Sequence, residues 1–312
     1  MDFRQLKYLT AVAEYQSITK AADALFISQP AMSHYIKKAE EEFGIQLFDR
    51  TTNPISLTYA GEKYMESARR ILLENDRLMK EFRDITHHMT GVLKVGTSRD
   101  RASYMLPRLI PPFKELYPGI TLDLTTGSGQ KLMEGLRNGK LDLVLLPNSE
   151  KDNLQGIESQ MIYAEELLLA AARGYFSQDA CLPGRPSAIS PKMLNGQPFF
   201  LLSQDHVARS FCDLFFRKQR IRPEIKMELA SNITCYRMAS TGTGLAIIPY
   251  LTTRLALCDQ PVDLFSLGDP PQTWNVLVMY RKDSYLGQPE RDFIQLAKDV
   301  FSRESLADLG SD

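Results

Sequence analysis

The spacing of hydrophobic positions changes character twice along the chain. In the first 60 residues, apolar side chains recur at intervals of three and four, which predicts short amphipathic helices. Residues 61–89 follow a seven-residue apolar repeat without proline, which is typical of a coiled-coil helix. From residue 91 onward, short apolar strands alternate with helical stretches, which predicts a parallel sheet with right-handed crossovers. The sequence therefore predicts an α/β protein with three parts, residues 1–60, 61–90 and 91–312.

Residues 28–44 form a predicted helix with two unlike sides. Ser28 is a suitable N-cap, Pro30 fits the first turn, and Gly44 suits the C-terminal end. One side is apolar and is predicted to be buried: Met32, Tyr35, Ile36, Ala39 and Phe43. The opposite side starts with small, mostly uncharged polar groups, which suit a helix that approaches another surface closely.

A second short helix is predicted just before this one. Its apolar face at residues 17–25 consists of Ile18, Ala21, Ala22 and Leu25. Two short helices joined by about three residues predict a helix-turn-helix, spanning about residues 18–37, whose second helix presents its N-terminal residues to the major groove. An ordinary helical hairpin is the alternative interpretation.

Residues 47–58 read as two strands joined by a turn, the wing of a winged helix-turn-helix. Arg50 and Thr51 at its tip are expected to contact the DNA backbone or the minor groove, and the alternative for Arg50 is a packing or capping role within the wing. Gln29 and Ser33 are expected to contact bases or phosphates, and Lys37 a phosphate. The predicted DNA-contacting residues are Ser28, Gln29, Pro30, Ala31, Ser33, His34, Lys37, Arg50 and Thr51.

The seven-residue repeat gives one apolar seam, formed by Tyr64, Ala68, Ile71, Asn75, Leu78, Phe82, Ile85 and Met89. A lone helix would leave this seam in water, so it predicts pairing with a second copy, with Asn75 fixing the register. A two-fold protein would also match an inverted-repeat operator. The alternative is that the seam packs on other parts of the same chain.

Charge alone does not indicate a nucleic-acid-binding protein. The first 90 residues carry 12 Lys and Arg against 13 Asp and Glu, and the net charge of the chain is −1. DNA binding would therefore need basic residues segregated on one face. No apolar run reaches the roughly 18 residues that span a bilayer, and the first residues lack a signal-peptide core, so we expect a cytoplasmic protein.

One set of residues in the first 61 positions has a distinctive spacing. It consists of Phe3, Leu6, Ala13, Ser17, Ala21, Ala22, Leu25, Ser28, Gln29, Pro30, Ala31, Ser33, Ile36, Glu40, Gly44, Leu47, Phe48, Arg50, Leu57, Thr58, Ala60 and Gly61. In these residues the N-terminal sequence resembles the LysR-type transcriptional regulators, over about 60 residues without a gap. His34 stands where the family often has arginine or another long donor. The resemblance implies paired linker helices, often assembled into a tetramer, and a C-terminal effector domain.

The C-terminal part is predicted to be bilobal, like the periplasmic-binding-protein fold that this family uses as its effector domain. Lobe I comprises about residues 91–163 and 267–303, and lobe II about residues 164–266. Ligands of such sheets lie beyond the carboxyl ends of strands, beside helix N-termini. The resemblance places effector-binding residues at three such points, Ser98, Asp100, Arg101, Ser128, Gly129, Gln130 and Ser203.

Arg101 with serine hydroxyls would suit a carboxylate, and Asp100 an ammonium group, so an amino-acid-like effector is one hypothesis. The alternatives are helix caps for the serines and a surface pair between Asp100 and a neighbouring arginine. Cys181, Cys212, Cys235 and Cys258 show no metal-binding spacing. They are expected to be inert buried thiols, although some members of the family sense oxidants through cysteine pairs.

The sequence therefore predicts a DNA-binding transcriptional regulator controlled by a small molecule. No cofactor or metal is expected. A transport solute-binding protein would share only the bilobal half, and it would not need the first 90 residues. An α/β enzyme is the other alternative, but no serine-hydrolase, P-loop or zinc-protease motif is present.

Overall fold

The computed structural model describes residues 2–86, 89–147, 154–204 and 206–301. The chain divides into two compact units, Met1–His87 and His88–Asp312. None of the described helices has the length and apolar character needed to cross a bilayer. The order of helices and strands agrees with the prediction from the sequence, because the first unit is mainly helical and the second is α/β.

The first unit is built from four helices and a two-stranded wing. Its elements are α1 (Phe3–Tyr15), α2 (Ile18–Ala24), α3 (Gln29–Phe43), β1 (Phe48–Asp49), β2 (Ser56–Leu57) and α4 (Tyr59–Thr86). The strands are antiparallel, with Phe48 opposite Leu57. Leu9, Val12, Met32 and Ile36 are fully buried together and form the centre of the core. The unit is a winged helix-turn-helix, as predicted.

The predicted ends of α3 are confirmed. The Ser28 hydroxyl accepts a hydrogen bond from the Ala31 backbone N–H at 3.3 Å, and Gly44 has the left-handed conformation with φ +66°. Met32, Ile36 and Ala39 are buried as expected. The prediction for Phe43 is wrong, because its ring is half-exposed and meets the edge of another aromatic ring.

Helix α4 is 28 residues long and carries most of the predicted seam. It ends at Thr86, so Met89 is not part of this helix. Met89 instead packs partly buried against the core of the second unit. The seam on α4 therefore runs from Tyr64 to Ile85.

The second unit contains two α/β lobes. Lobe I is built from β3 (Gly91–Thr97), α5 (Arg99–Leu116), β4 (Ile120–Thr126), α6 (Gly129–Arg137), β5 (Leu143–Pro147), β13 (Thr273–Arg281) and α10 (Gln288–Phe301). Lobe II is built from β7 (Cys181–Leu182), β8 (Arg185–Ile189), β9 (Pro198–Leu202), α7 (Val207–Gln219), β10 (Glu224–Leu229), α8 (Asn232–Ser240), β11 (Ala246–Pro249), α9 (Tyr250–Leu255) and β12 (Val262–Leu267). Two short 3₁₀ helices, Gln178–Ala180 and Pro191–Leu194, lie beside β7 and β8.

One long strand, β6 (Ile157–Ala172), belongs to both lobes. Up to Glu166 it pairs with β13, and from Leu167 onward it pairs with β11 and β12. These pairings are antiparallel, whereas β3, β4 and β5 pair in parallel. The expectation of an entirely parallel sheet is therefore wrong at the centre of the unit. Because β6 pairs continuously with strands of both lobes, it connects them, and the chain crosses between the lobes a second time from β12 to β13.

Candidate nucleic-acid interface and ligand cleft

The helix α3 exposes the residues predicted to contact DNA. Its apolar side faces the core, so the opposite side faces outward along the first three turns. Gln29, His34 and Lys37 are exposed, and Ser33 is half-buried. Ser28, Pro30 and Ala31 complete the leading turn, with the first two exposed and Ala31 half-buried. The predicted base-reading surface is therefore not covered by other described parts of the first unit.

Gln29 and Ser33 form one polar pair on this surface. The Gln29 Nε2 donates a hydrogen bond to the Ser33 hydroxyl at 3.0 Å. An amide nitrogen has two hydrogens, so Nε2 keeps one for another acceptor while Oε1 remains free to accept. That is the donor and acceptor pair that an adenine edge requires in the major groove. The bond to Ser33 orients the amide before any DNA arrives.

Lys37 lies two turns further along the same face. Its ammonium group is 3.5 Å from Glu41 in an exposed i,i+4 ion pair. Such surface pairs contribute little energy, so Lys37 can exchange this partner for a phosphate.

The two predicted wing residues are both exposed but differ in their partners. The Arg50 guanidinium donates to Glu40 of α3 at 3.0 Å, in line with the packing alternative considered for it. Thr51 donates both its backbone N–H and its hydroxyl to Asp49, at 2.9 Å and 2.6 Å. These bonds lower the pKa of the Asp49 carboxyl. The wing tip is thus an ordered turn, and the guanidinium of Arg50 lies at its base.

The carboxyl ends of the lobe I strands carry two serines that begin helices. Ser98 precedes α5 and Ser128 precedes α6, both with the extended backbone of an N-cap. Neither hydroxyl makes the capping hydrogen bond that their alternative interpretation requires. The Gly127 N–H donates to the Thr97 carbonyl at 3.3 Å and joins the two strand ends. The hydroxyls and the N-terminal N–H groups of two helices are thus available at one edge of the sheet.

The start of α6 also faces lobe II. A methyl group at Gly129 would lie 3.3 Å from Val207 Cγ2, in the first turn of α7. Ser203 lies at the end of the neighbouring strand β9 and is half-buried, and its N–H bonds to the Leu229 carbonyl. Gln130 is exposed beside Gly129. The fold therefore brings the three predicted effector-binding points together between the lobes.

Arg101 does not occupy the position expected of a carboxylate-binding residue. Its side chain is only 3% exposed. One terminal nitrogen donates to the Tyr163 hydroxyl at 2.7 Å and the other to Glu165 at 2.9 Å. Burial opposes the charge, but Glu165 and the Tyr163 hydroxyl together more than offset this and raise the pKa of Arg101. The predicted direct contact of Arg101 with an effector carboxylate is therefore corrected, because an internal carboxylate already holds the guanidinium.

Asp100, the neighbour of Arg101, has the opposite character. It lies half-buried in the first turn of α5. It forms no ion pair with Arg99, Arg101 or any other residue within the described ranges, so the surface-pair alternative is not realised. A carboxylate of this kind can accept hydrogen bonds from a ligand.

Two carboxylates with several partners each were missed by the sequence reasoning. Glu165 accepts bonds from Arg101, from the Trp274 indole at 2.8 Å and from the Leu251 N–H at 2.9 Å. Glu40 accepts bonds from two wing N–H groups and from Arg50. The feature of the sequence that could have indicated Glu165 is an acidic pair, Glu165 and Glu166, directly before an apolar run. Buried carboxylates at such a point need donors from elsewhere in the fold.

The four cysteines carry free thiols. Cys212 and Cys235 are buried. Burial raises the pKa of the Cys212 thiol far above its ordinary value and that of Cys235 to about 12. Since the thiolate is the reactive species, both are poor nucleophiles at neutral pH. This supports the interpretation of these two as inert buried thiols.

Comparison with known families gives two matches that together cover most of the chain. Residues 3–62 match the family model of the bacterial regulatory helix-turn-helix proteins of the lysR family. Residues 86–302 match the LysR substrate binding domain. The first match covers the winged helix-turn-helix and the start of α4, and the second covers the two lobes.

Individual relatives agree with these matches over nearly the whole length. The HTH-type transcriptional regulator YwbI of Bacillus subtilis is 30% identical over 96% of both chains. OxyR of Escherichia coli, a DNA-binding transcriptional dual regulator, is 29% identical over 80% of both. The crystal structure of full-length CbnR with its target DNA has a TM-score of 0.61 at 25% identity, over 96% of this chain and 100% of that one. A full-length OxyR variant from Pseudomonas aeruginosa shares the fold, with a TM-score of 0.72 at 21% identity over 96% and 94%.

Proposed function

Because the chain belongs to the LysR family of transcriptional regulators, we propose that it reads an inverted-repeat operator through α3. The chain is a DNA-binding regulator with an effector-binding domain, and its family consists of regulators rather than enzymes. The observation that carries the proposal is the exposed Gln29–Ser33 pair on a helix whose other side is buried. The proposed contacts are Ser28, Gln29, Pro30, Ala31, Ser33, His34 and Lys37 of the helix-turn-helix, with Arg50 and Thr51 of the wing. A regulator of this kind acts in the cytoplasm, where the DNA is.

The partner proposed for the α4 seam is a second copy of the chain. Ile71, Leu78, Phe82 and Ile85 are 37, 48, 53 and 71% exposed, which forms an apolar stripe over about four turns. The stripe follows a heptad repeat, so two such helices can bury it by meshing with each other. Asn75 lies within the stripe and is proposed to pair across the two-fold axis. Of the first seam residues, Tyr64 already packs against the core of the first unit and Ala68 is buried.

Replacing Phe82 with alanine is expected to raise the dissociation constant of the dimer by roughly tenfold or more, since each copy loses a large apolar contact. Sedimentation velocity over a range of protein concentrations measures this constant, and it also separates a dimer from a tetramer. Met79→Ala is the matched control, because Met79 is 57% exposed on the same helix but off the seam. Equal effects of the two substitutions would contradict the proposed seam.

The effector is proposed to bind between the lobes, at Ser98, Asp100, Ser128, Gly129, Gln130 and Ser203. An amino-acid-like molecule fits this set, although Arg101 is engaged elsewhere. Its carboxylate would lie at the N-termini of α5 and α6, where free N–H groups and the helix dipoles favour an anion. Its ammonium group would lie beside Asp100. Binding regulates DNA only if the effector has different affinities for two arrangements of the protein.

A thermal-shift panel of amino acids, amines, carboxylates and uncharged analogues tests this effector class. We expect the melting temperature to rise with molecules that carry both charges, because both helix ends and Asp100 are then occupied. Asp100→Asn should remove the preference for the ammonium group and should strengthen, not weaken, binding of simple carboxylates, because a nearby negative charge is lost. A panel in which only uncharged molecules raise the melting temperature would rule out the zwitterionic class.

A further inference from the structure

The carboxylate of Glu40 connects the recognition helix with the wing. Its Oε1 accepts hydrogen bonds from the Leu47 and Phe48 backbone N–H groups at 3.0 Å and 3.2 Å. Its Oε2 accepts from Arg50 Nη2 at 3.0 Å. Glu40 lies on α3, one turn beyond Lys37. One side chain of the helix therefore holds both the first strand of the wing and the arginine that follows this strand.

The two ends of this contact differ in exposure. The Glu40 side chain is largely buried, at 13% exposed, whereas that of Arg50 is about half-exposed. The bond to Glu40 uses a single N–H of a guanidinium that has five, so the remaining donors of Arg50 stay available at the surface. The start of the wing is also held by a backbone bond, because the Thr58 N–H donates to the Leu47 carbonyl at 3.0 Å.

We propose that Glu40 is a positioning residue for DNA binding, which orders the Arg50 guanidinium to meet a phosphate at a fixed distance from the leading turns of α3. The inference rests on the proposed function, since it requires that the wing contacts DNA. A free arginine side chain loses much rotational freedom on binding, and one already held by a carboxylate loses less. The negative charge of Glu40 opposes an approaching phosphate, but the residue is exposed to solvent only slightly and lies behind Arg50.

Glu40→Gln separates ordering from charge. The glutamine carbonyl can still accept from the two wing N–H groups, while its NH₂ group cannot accept from Arg50. The substitution also removes one negative charge near the DNA, which by itself would strengthen binding to phosphates. Loss of the ordering of Arg50 therefore predicts a lower affinity for DNA, whereas loss of the repulsion by Glu40 predicts a higher one.

The experiment measures the affinity of the full chain for a duplex selected from a random library, by fluorescence anisotropy at several salt concentrations. We expect Glu40→Gln to weaken binding about fivefold for each half-site, the cost of ordering one free side chain per copy. The charge-matched control is Glu41→Gln, which removes the same charge from the next position of α3 and also releases Lys37 from its ion pair, so it should strengthen binding rather than weaken it. A gain of affinity in both variants would overturn the proposal.

Arg50→Ala completes a double-variant cycle. We expect Arg50→Ala to weaken binding at least as much as Glu40→Gln, and to reduce the slope of log affinity against log salt by about 0.9 for each half-site, or about 1.8 for a dimer that loses one phosphate contact per copy. In the Arg50→Ala background, Glu40→Gln should no longer weaken binding, because only the loss of its negative charge remains and that loss favours binding. An equal loss from Glu40→Gln in both backgrounds would mean that it acts through the backbone of the wing and would overturn the positioning role.

The cycle also separates this inference from the proposed function. If Arg50→Ala leaves the affinity and the salt slope unchanged, the proposed contact of the wing with DNA is wrong. If Arg50→Ala weakens binding and Glu40→Gln alone does not, the wing contact stands and only the positioning role of Glu40 is refuted. Thermal melting of each variant shows whether the first unit remains folded. Arg50 is half-exposed, so Arg50→Ala tests the wing contact even if Glu40→Gln destabilises the fold.

Discussion

Replacing Glu165 with alanine is expected to lower the free energy of unfolding of the second unit by about 3–5 kcal/mol. The carboxylate is buried and accepts bonds from Arg101, Trp274 and the Leu251 N–H. Its removal leaves a guanidinium buried without its counter-charge, and it leaves two further donors without an acceptor. Denaturant unfolding followed by circular dichroism measures the change.

Two further variants test the reason for this loss. Arg185 pairs with Asp269 at 2.8 Å, a distance similar to the 2.9 Å of Arg101 and Glu165, but both partners are exposed. Arg185→Ala should therefore change stability by less than about 1 kcal/mol. Combining Glu165→Leu with Arg101→Met should recover much of the loss, because an apolar pair leaves no buried charge. A Glu165→Ala protein as stable as Arg185→Ala would contradict the assignment of Glu165 as a buried centre of the unit.

The same carboxylate connects the two lobes. Arg101 lies in α5 and Trp274 in β13, both of lobe I, whereas Leu251 lies in the first turn of α9 of lobe II. One side chain of the shared strand β6 therefore bonds to both lobes.

The sequence predicted well those features whose causes are local. The capping of α3 by Ser28, its end at Gly44 and the heptad seam of α4 each depend on residues within a few turns of one another. The resemblance to a known family then supplied the fold of the second unit. The uncapped state of Ser98 and Ser128 was left open by the sequence, because a serine before a helix is equally suited to capping and to binding.

The features that were missed depend on contacts between distant parts of the chain. Arg101 and Glu165 are 64 residues apart, and nothing near Arg101 in the sequence indicates that its charge is already neutralised. Met89 continues the heptad spacing, yet it packs on the second unit because the helix ends at Thr86. The antiparallel pairing of β6 with β13 likewise joins segments more than 100 residues apart.

The second large effect is expected at Gln29. A bidentate amide contact with adenine contributes about 1–3 kcal/mol of discrimination against the wrong base pair. Two copies on an inverted repeat each lose this contact, so Gln29→Ala should reduce discrimination by about 2–6 kcal/mol in total if the half-sites are independent. Lys37→Ala should differ in kind, because loss of a phosphate contact weakens binding to all sequences alike and lowers the salt dependence.

Selectivity of the full chain carrying Gln29→Ala is the most direct test of recognition through the leading turns of α3. The measurement is the ratio of its affinities for a selected operator and for a scrambled duplex at one salt concentration, with Gln46→Ala, an exposed glutamine beyond α3, as the control. We predict that this ratio falls by about 30-fold or more for Gln29→Ala, the equivalent of about 2 kcal/mol or more, while binding to the scrambled duplex is retained, and that Gln46→Ala keeps the original ratio. A folded Gln29→Ala protein that distinguishes the two duplexes as sharply as the unaltered chain would place base recognition elsewhere.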